Sequence, residues 1–281
     1  MTIQDVKIKY QYHLAKLYEP KEIQSIFELI AEDLQFTSTS LILNKDEELT
    51  DFQLNYFEQS LLRLEQCEPV QYIRGKADFY DMQFIVNQSV LIPRPETEEL
   101  VDLIIRENTN CEGKILDIGT GSGCIAISLA KNLSKTQISA IDISKEALQV
   151  AQKNSQHNGV QVSFFNGDMQ NEYFMSQFVD YEIIVSNPPY VCNSEKQEMR
   201  NNVLNFEPHT ALFVDDSNPL QYYKVIAQFA SKNLQRNGKI YCEINETLGN
   251  ETKQLFEQYG FKNCQIIKDL FGKDRIVKVI R

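Results

Sequence analysis

The residues best suited to chemistry in this chain lie in two short stretches, "LDIGTGSG" at 116–123 and "SNPPY" at 186–190. In the second, Asn187 is followed by Pro188 and Pro189, neither of which can donate to a sheet ladder. The apolar run "YEIIVS" therefore stops at Asn187 on a stiffened backbone. The Asn187 side-chain oxygen and the Pro188 carbonyl can each accept a hydrogen bond from one planar NH2 group and hold its nitrogen in line for attack. Tyr190 offers an aromatic face to the same flat group. An amide or ring-amine nitrogen is a weak nucleophile because its lone pair is delocalised, and acceptors aimed at both N–H bonds stabilise the positive charge that develops on it. Neither a metal nor a strong base is required. As a bare turn, Asn187 would be only a turn former; its neighbours in the fold argue for more.

Those neighbours begin with Gly119, Gly121 and Gly123, which stand directly between a strand-like run and a helix starting near Cys124. Such a loop lets backbone approach a ligand at the carboxyl end of a strand, where doubly wound sheets bind ligands. The dinucleotide fingerprint G-x-G-x-x-G fails, because Cys124 stands where its third glycine belongs, and Asp117 adds negative charge where a pyrophosphate would lie. S-adenosylmethionine, which carries an ammonium group and a cationic sulfur, suits this acidic variant better. Asp142, ending the next apolar run, is placed to accept hydrogen bonds from both ribose hydroxyls. Asp168 and Met169 end the third run and border the adenine. The expected cofactor set is Gly119, Thr120, Gly121, Ser122, Gly123, Asp142, Asp168, Met169 and Asn187. Each element alone is a common helix cap or turn; their order and spacing point to cofactor binding.

The elements that must position these residues follow from hydrophobic period. Ile23, Ile26, Phe27, Ile30 and Leu34, then Leu54, Phe57, Leu61 and Leu64, recur at helical steps, with Thr50 and Gln53 forming a capping box before the second set. Residues 1–69 are read as a helical domain that recognises substrate. Residues 70–95 are read as a β-rich linker or hairpin, from "QYIRG", "DFYDMQFIV" and "SVLIP". From "PRPETEEL" onward, prolines and acidic residues suit a helix start, where two readings of Arg94 and Glu96 stand open, a pair across the helix start and a functional role. Residues 96–281 alternate apolar strand-like runs with helix-length connections, which implies right-handed crossovers and a parallel sheet. The last two runs flank Gly272 closely enough to pair as a hairpin, predicting a seven-stranded, mostly parallel α/β sheet with one antiparallel strand.

A length of 281 residues allows one catalytic-sized domain and a smaller one. The net charge of −11 opposes binding to nucleic acid, whose partners gain affinity by replacing counterions with Lys and Arg. The six cysteines form no C-x-x-C pair and read as reduced core residues rather than metal ligands. With no apolar leader or membrane-length run, a cytoplasmic, monomeric protein with no membrane contact is expected.

From about Pro69 to Arg281 the chain resembles the release-factor glutamine N(5)-methyltransferases, through "PVQYIRG", "LIPRPETEELV", "LDIGTGSGCIAISLA", "IDISKEAL", "IVSNPPYV", "EPHTAL" and "KDLFGKDRIV" in order. The resemblance implies a Rossmann-like class I methyltransferase sheet that uses S-adenosylmethionine to modify the glutamine of the Gly-Gly-Gln motif of peptide chain release factors in translation termination. It implies that Gly119 to Gly123, Asp142 and Met169 hold cofactor, and that Asn187, Pro188, Pro189 and Tyr190 hold the glutamine amide. Where the family has "EIG", this chain reads Glu243-Ile244-Asn245. The Asn-Pro-Pro-Tyr tetrad is shared with DNA methyltransferases acting on the exocyclic adenine amine, which remains the alternative substrate.

Overall fold

The computed structural model describes residues 1–281, in two units: 1–75 with 200–206, and 76–199 with 207–281. The first unit holds helices α1 (Ile3–Leu14), α2 (Pro20–Asp33), α3 (Ser38–Leu43), α4 (Asp51–Glu65) and α5 (Val70–Arg74). Its core is built on the expected stripes, with Ile23, Ile26, Phe27 and Ile30 packed against Phe57, Leu61 and Leu64. The capping box is formed: the Gln53 N–H donates to Thr50 Oγ1 and the Thr50 N–H donates to Gln53 Oε1 at 3.0 Å.

Residues of "QYIRG" depart from the β-rich expectation and form α5. The Arg74 side chain, only 3% exposed, bridges Asp33 and Glu32 at the end of α2, and this distant ion-pair network overrides the local β-propensity. Gly75, in the left-handed region at φ 72°, closes the helix.

In the second unit, strands β1 (Lys76–Phe79) and β2 (Met82–Ile85) make a hairpin whose two-residue turn, Tyr80-Asp81, has positive φ at both positions. "SVLIP" forms no strand. The Ile92 N–H goes to the Glu207 carboxylate instead of a ladder.

The main sheet comprises β3 (Lys114–Ile118), β4 (Gln137–Asp142), β5 (Ser163–Asn166) and β6 (Tyr181–Ser186). A two-strand parallel pair follows, β7 (Val191–Cys192) with β8 (Phe213–Val214), and then the main sheet resumes with β9 (Leu234–Glu243), β10 (Asn263–Lys268) and β11 (Asp274–Ile280). Its order is β10-β11-β9-β6-β3-β4-β5, and only β11 runs antiparallel to its neighbours. The two faces bury separate cores: Ile184 of β6 packs into one, while Ile183 and Val185 pack into the other. This double burial explains the continuous apolar runs.

Helices α6 (Pro95–Glu107), α7 (Cys124–Asn132), α8 (Lys145–His157), α9 (Glu172–Met175), α10 (Asn201–Phe206), α11 (Gln221–Asn233) and α12 (Gly249–Gln258) complete the chain. Because β4 lies on one side of β3 and β6 on the other, the loops after β3 and β6 part above their carboxyl ends and leave a crevice between them. No helix is long and apolar enough to cross a membrane. All six cysteines are free thiols, four of them buried.

Candidate functional site

The loop after β3 carries Gly119, Gly121 and Gly123 at φ 76°, 55° and 82°, a region that side-chain-bearing residues seldom adopt. Their surroundings differ. A Cβ on Gly119 or Gly121 would meet nothing within 4 Å, whereas one on Gly123 would press on Ile127 at 2.9 Å and Ala151 at 3.1 Å. The first two glycines leave space open above the loop, and the third lets α7 and α8 approach each other.

That space is a cavity of about 400 Å³, the size of a small-molecule site. Gly119, Thr120, Gly121, Ser122, Asp142, Asp168, Met169, Asn187 and Pro189 line it; Gly123, Pro188 and Tyr190 do not. Ile143 and Tyr222 also contribute, and neither was singled out by the sequence. Ile143, 65% exposed directly after Asp142, was hidden because a lone apolar residue past a strand end carries no pattern.

Asp142 is held by the loop it faces. Its Oδ2 accepts the Gly121 N–H at 2.8 Å and its Oδ1 accepts the Ser144 N–H at 2.9 Å, while burial pushes its carboxyl above the usual range. Beneath the loop, Asp117 is fully buried; Thr120 donates its hydroxyl to Oδ2 at 2.6 Å, and Oδ1 has no partner. Burial pushes this carboxyl up to about 7, with the Asp142 charge adding to the effect. An acidic pocket with an orphaned carboxylate oxygen under its floor fits a cationic ligand and repels a pyrophosphate. The site therefore suits S-adenosylmethionine on its donor set as well as its volume.

At the far end of the cavity the Asn-Pro-Pro-Tyr turn leaves β6 with Asn187 half-buried and Pro188 buried. Asn187 Nδ2 donates to Thr97 Oγ1 at 3.2 Å, and the Thr97 hydroxyl donates to Glu243 Oε2 at 2.7 Å. The Tyr190 hydroxyl donates to Glu243 Oε1 at 2.8 Å, and its ring rests partly buried against the core. Burial and the neighbouring Glu243 raise the Tyr190 phenol well above its ordinary value, so it stays protonated. Asn245 is tied in by its Nδ2, which donates to the Tyr190 carbonyl at 3.3 Å and to Glu195 at 3.1 Å. Thr97 and Glu243 are the site residues that sequence reasoning missed, although "PRPETE" and "YCEIN" contain them.

Arg94 does not pair with Glu96 across the start of α6. It bonds Glu207, whose side chain is 1% exposed and also accepts the Ile92 N–H at 3.1 Å. This buried carboxylate, the first residue of "EPHTAL", staples the segment before α6 to the wall that continues through Pro208 and Thr210.

Comparison with known proteins finds similar chains and a shared fold. A model of the methyltransferase small domain matches residues 97–206, and one of the PrmC N-terminal domain matches residues 10–75. The chain is 47% identical over 284 residues to the release factor glutamine methyltransferase of Flavobacterium psychrophilum, with 99% of each covered. It is 45% identical to the release factor glutamine methyltransferase of Bacteroides thetaiotaomicron, covering 95% of this chain and 96% of the relative. A methyltransferase from Pyrococcus furiosus shares the fold, at a TM-score of 0.51, 17% identity, 72% of this chain and 89% of that one.

Proposed function

This chain belongs to the release factor glutamine methyltransferase family, and we propose that it transfers a methyl group from S-adenosylmethionine to the side-chain amide nitrogen of the glutamine in the Gly-Gly-Gln motif of peptide chain release factors. The observation that carries the reading is that Asn187 and Pro189 line the same cavity as Gly119, Gly121 and Asp142. An acceptor for a planar amide and a cradle for a cationic nucleoside thus share one space.

In this reading the Gly119 to Ser122 main chain and Asp142 hold the cofactor, with Asp142 accepting from the ribose and Asp168 and Met169 bordering the adenine. S-adenosylmethionine supplies, when bound, a methyl group activated by a cationic sulfur. The protein's task is to present the amide nitrogen. Asn187 Oδ1 accepts one of its N–H bonds, orients it, and stabilises positive charge as it grows there; the Pro188 carbonyl, the second acceptor expected from the sequence, belongs to a buried residue that does not line the cavity. Pro188 and Pro189 stiffen the turn that carries Asn187.

The helical N-terminal unit is assigned to gripping the release factor. A glutamine at a loop tip offers little area, whereas a specific protein contact buries about 1,200 Å² or more. Work on release factors also implies a cytoplasmic location. An adenine amine in DNA could satisfy the same acceptors, but the net charge of −11 disfavours a phosphate backbone.

The test is transfer of an isotope-labelled methyl group from S-adenosylmethionine to purified release factor or to duplex DNA. Label in the release factor, absent when its Gly-Gly-Gln glutamine is replaced by alanine, is the expected result. Label in DNA alone would overturn the assignment.

A further inference from the structure

We propose that Thr97 and Glu243 set which end of the Asn187 amide faces the cavity, making them positioning residues for the methyl acceptor. The inference rests on the reading of Asn187 as an acceptor, and it concerns what keeps the oxygen, rather than the NH2, turned outward.

Glu243 ends β9 at 1% exposure, and its carboxylate receives two hydroxyls, Thr97 on Oε2 at 2.7 Å and Tyr190 on Oε1 at 2.8 Å. A carboxylate only accepts, so both hydroxyls must donate to it. Thr97, 2% exposed in the first turn of α6, has one hydroxyl proton and has committed it. What Thr97 Oγ1 presents to Asn187 is therefore lone pairs alone, and the group lying 3.2 Å from it is Asn187 Nδ2.

A reversed Asn187 would set its oxygen against an oxygen whose one proton is already given to Glu243, losing the hydrogen bond and facing acceptor to acceptor. It would also turn an NH2 toward an incoming NH2. The direction of each hydrogen bond in the chain Glu243, Thr97, Asn187 thus follows from the Glu243 oxygens accepting at one end. Burial raises the Glu243 carboxyl, while the Thr97 and Tyr190 hydroxyls and the nearby Arg275 guanidinium work against that rise. Tyr223 holds the Glu243 carbonyl at 2.9 Å, which fixes the carboxylate's backbone as well.

Thr97→Val keeps the shape and removes the hydroxyl; Thr97→Ser keeps the hydroxyl. Two readouts separate positioning from mere support. In nitrogen-15-labelled protein, the Asn187 side-chain amide pair is identified by its loss in Asn187→Asp, and its hydrogen exchange is followed. In parallel, kcat and KM on release factor are measured beside S-adenosylmethionine affinity and thermal unfolding. Thr97→Val should speed exchange of the Asn187 amide and cut kcat by about tenfold or more each, with cofactor affinity nearly unchanged, while Thr97→Ser recovers most of both.

Wild-type exchange in Thr97→Val, or a kcat loss as large in Thr97→Ser, would overturn the proposal. If the wild-type enzyme fails to methylate release factor, the substrate reading falls by itself, and the exchange rates of the two variants still decide the orientation. Should Thr97→Val not fold, a Thr97→Ser enzyme with fast amide exchange overturns the proposal, and one with protected exchange upholds it.

Discussion

The Gly121 N–H donates to Asp142 Oδ2 at 2.8 Å, so the carboxylate ending β4 is also a strut for the glycine loop after β3. Two neighbouring strands thereby fix each other's carboxyl-terminal loops. The same carboxylate has lone pairs left for a ligand in the cavity it lines.

Asp142→Ala should consequently weaken S-adenosylmethionine by about 1.5 to 3 kcal/mol, the range for hydrogen bonds to a charged group. Asp142→Asn, which keeps an oxygen for Gly121, should lose less. Calorimetric affinities equal to wild type for the alanine variant would place the ribose elsewhere.

The three loop glycines should fail differently. Gly121→Ala strains a residue at φ 55° and puts a methyl group into open cavity, so it should lower cofactor affinity while the melting temperature falls modestly, for a cost of about 1 to 2 kcal/mol. Gly123→Ala adds a clash with Ile127 and Ala151 to its strain and should reduce stability more. Thermal unfolding and cofactor titration of the pair would check this; the opposite ranking in stability would contradict it.

Asp117 gives a pH dependence with a definite sign. Its folded carboxyl is pushed up to about 7, above the unfolded value, so the folded protein keeps a proton that the unfolded chain has lost. The stability this contributes is complete below the unfolded value and disappears as pH rises through about 7, at a slope of at most about 1.4 kcal/mol per pH unit. Asp117→Asn retains an acceptor for Thr120 but does not titrate. Its stability relative to wild type should rise between about pH 4 and pH 7, as read by urea unfolding across that range. A constant difference would show that Asp117 does not titrate there.

What the sequence disclosed and what it hid divide by distance along the chain. The parallel strands were legible because each, buried on both faces, is a contiguous apolar run, and the glycine loop and Asn-Pro-Pro-Tyr turn are contiguous motifs. The sequence of Val70–Arg74 reads as extended because nothing nearby reveals that Arg74 meets Asp33, 41 positions away. Arg94 invited pairing with Glu96, two residues on, while its partner Glu207 stands 113 positions away. Thr97 and Glu243, 146 positions apart, look unremarkable singly and acquire meaning only when the fold brings α6 over the end of β9. Local patterns report propensity; the polar ties that hold a site in place are long-range and leave no period.

Arg94 and Glu207 supply a test of one such tie. Arg94→Met leaves a buried carboxylate with the Ile92 N–H as its remaining partner, so it should destabilise the protein by about 2 kcal/mol or more, even though Arg94 itself is partly solvated. Adding Glu207→Gln should restore part of that loss, since the charge is gone. A double variant less stable than Arg94→Met would show that the carboxylate is held by something other than the pair.

Asn187 presenting an acceptor to a glutamine amide is the central step of the proposed reaction. The most direct measurement is fragmentation mass spectrometry of release factor after incubation with S-adenosylmethionine and either wild-type enzyme or Asn187→Ala, each first verified as folded and cofactor-binding. The predicted result is one added methyl group on the side chain of the Gly-Gly-Gln glutamine with wild type, and none within the same time with Asn187→Ala. A methyl group on another residue, or equal modification by the two enzymes, would contradict it.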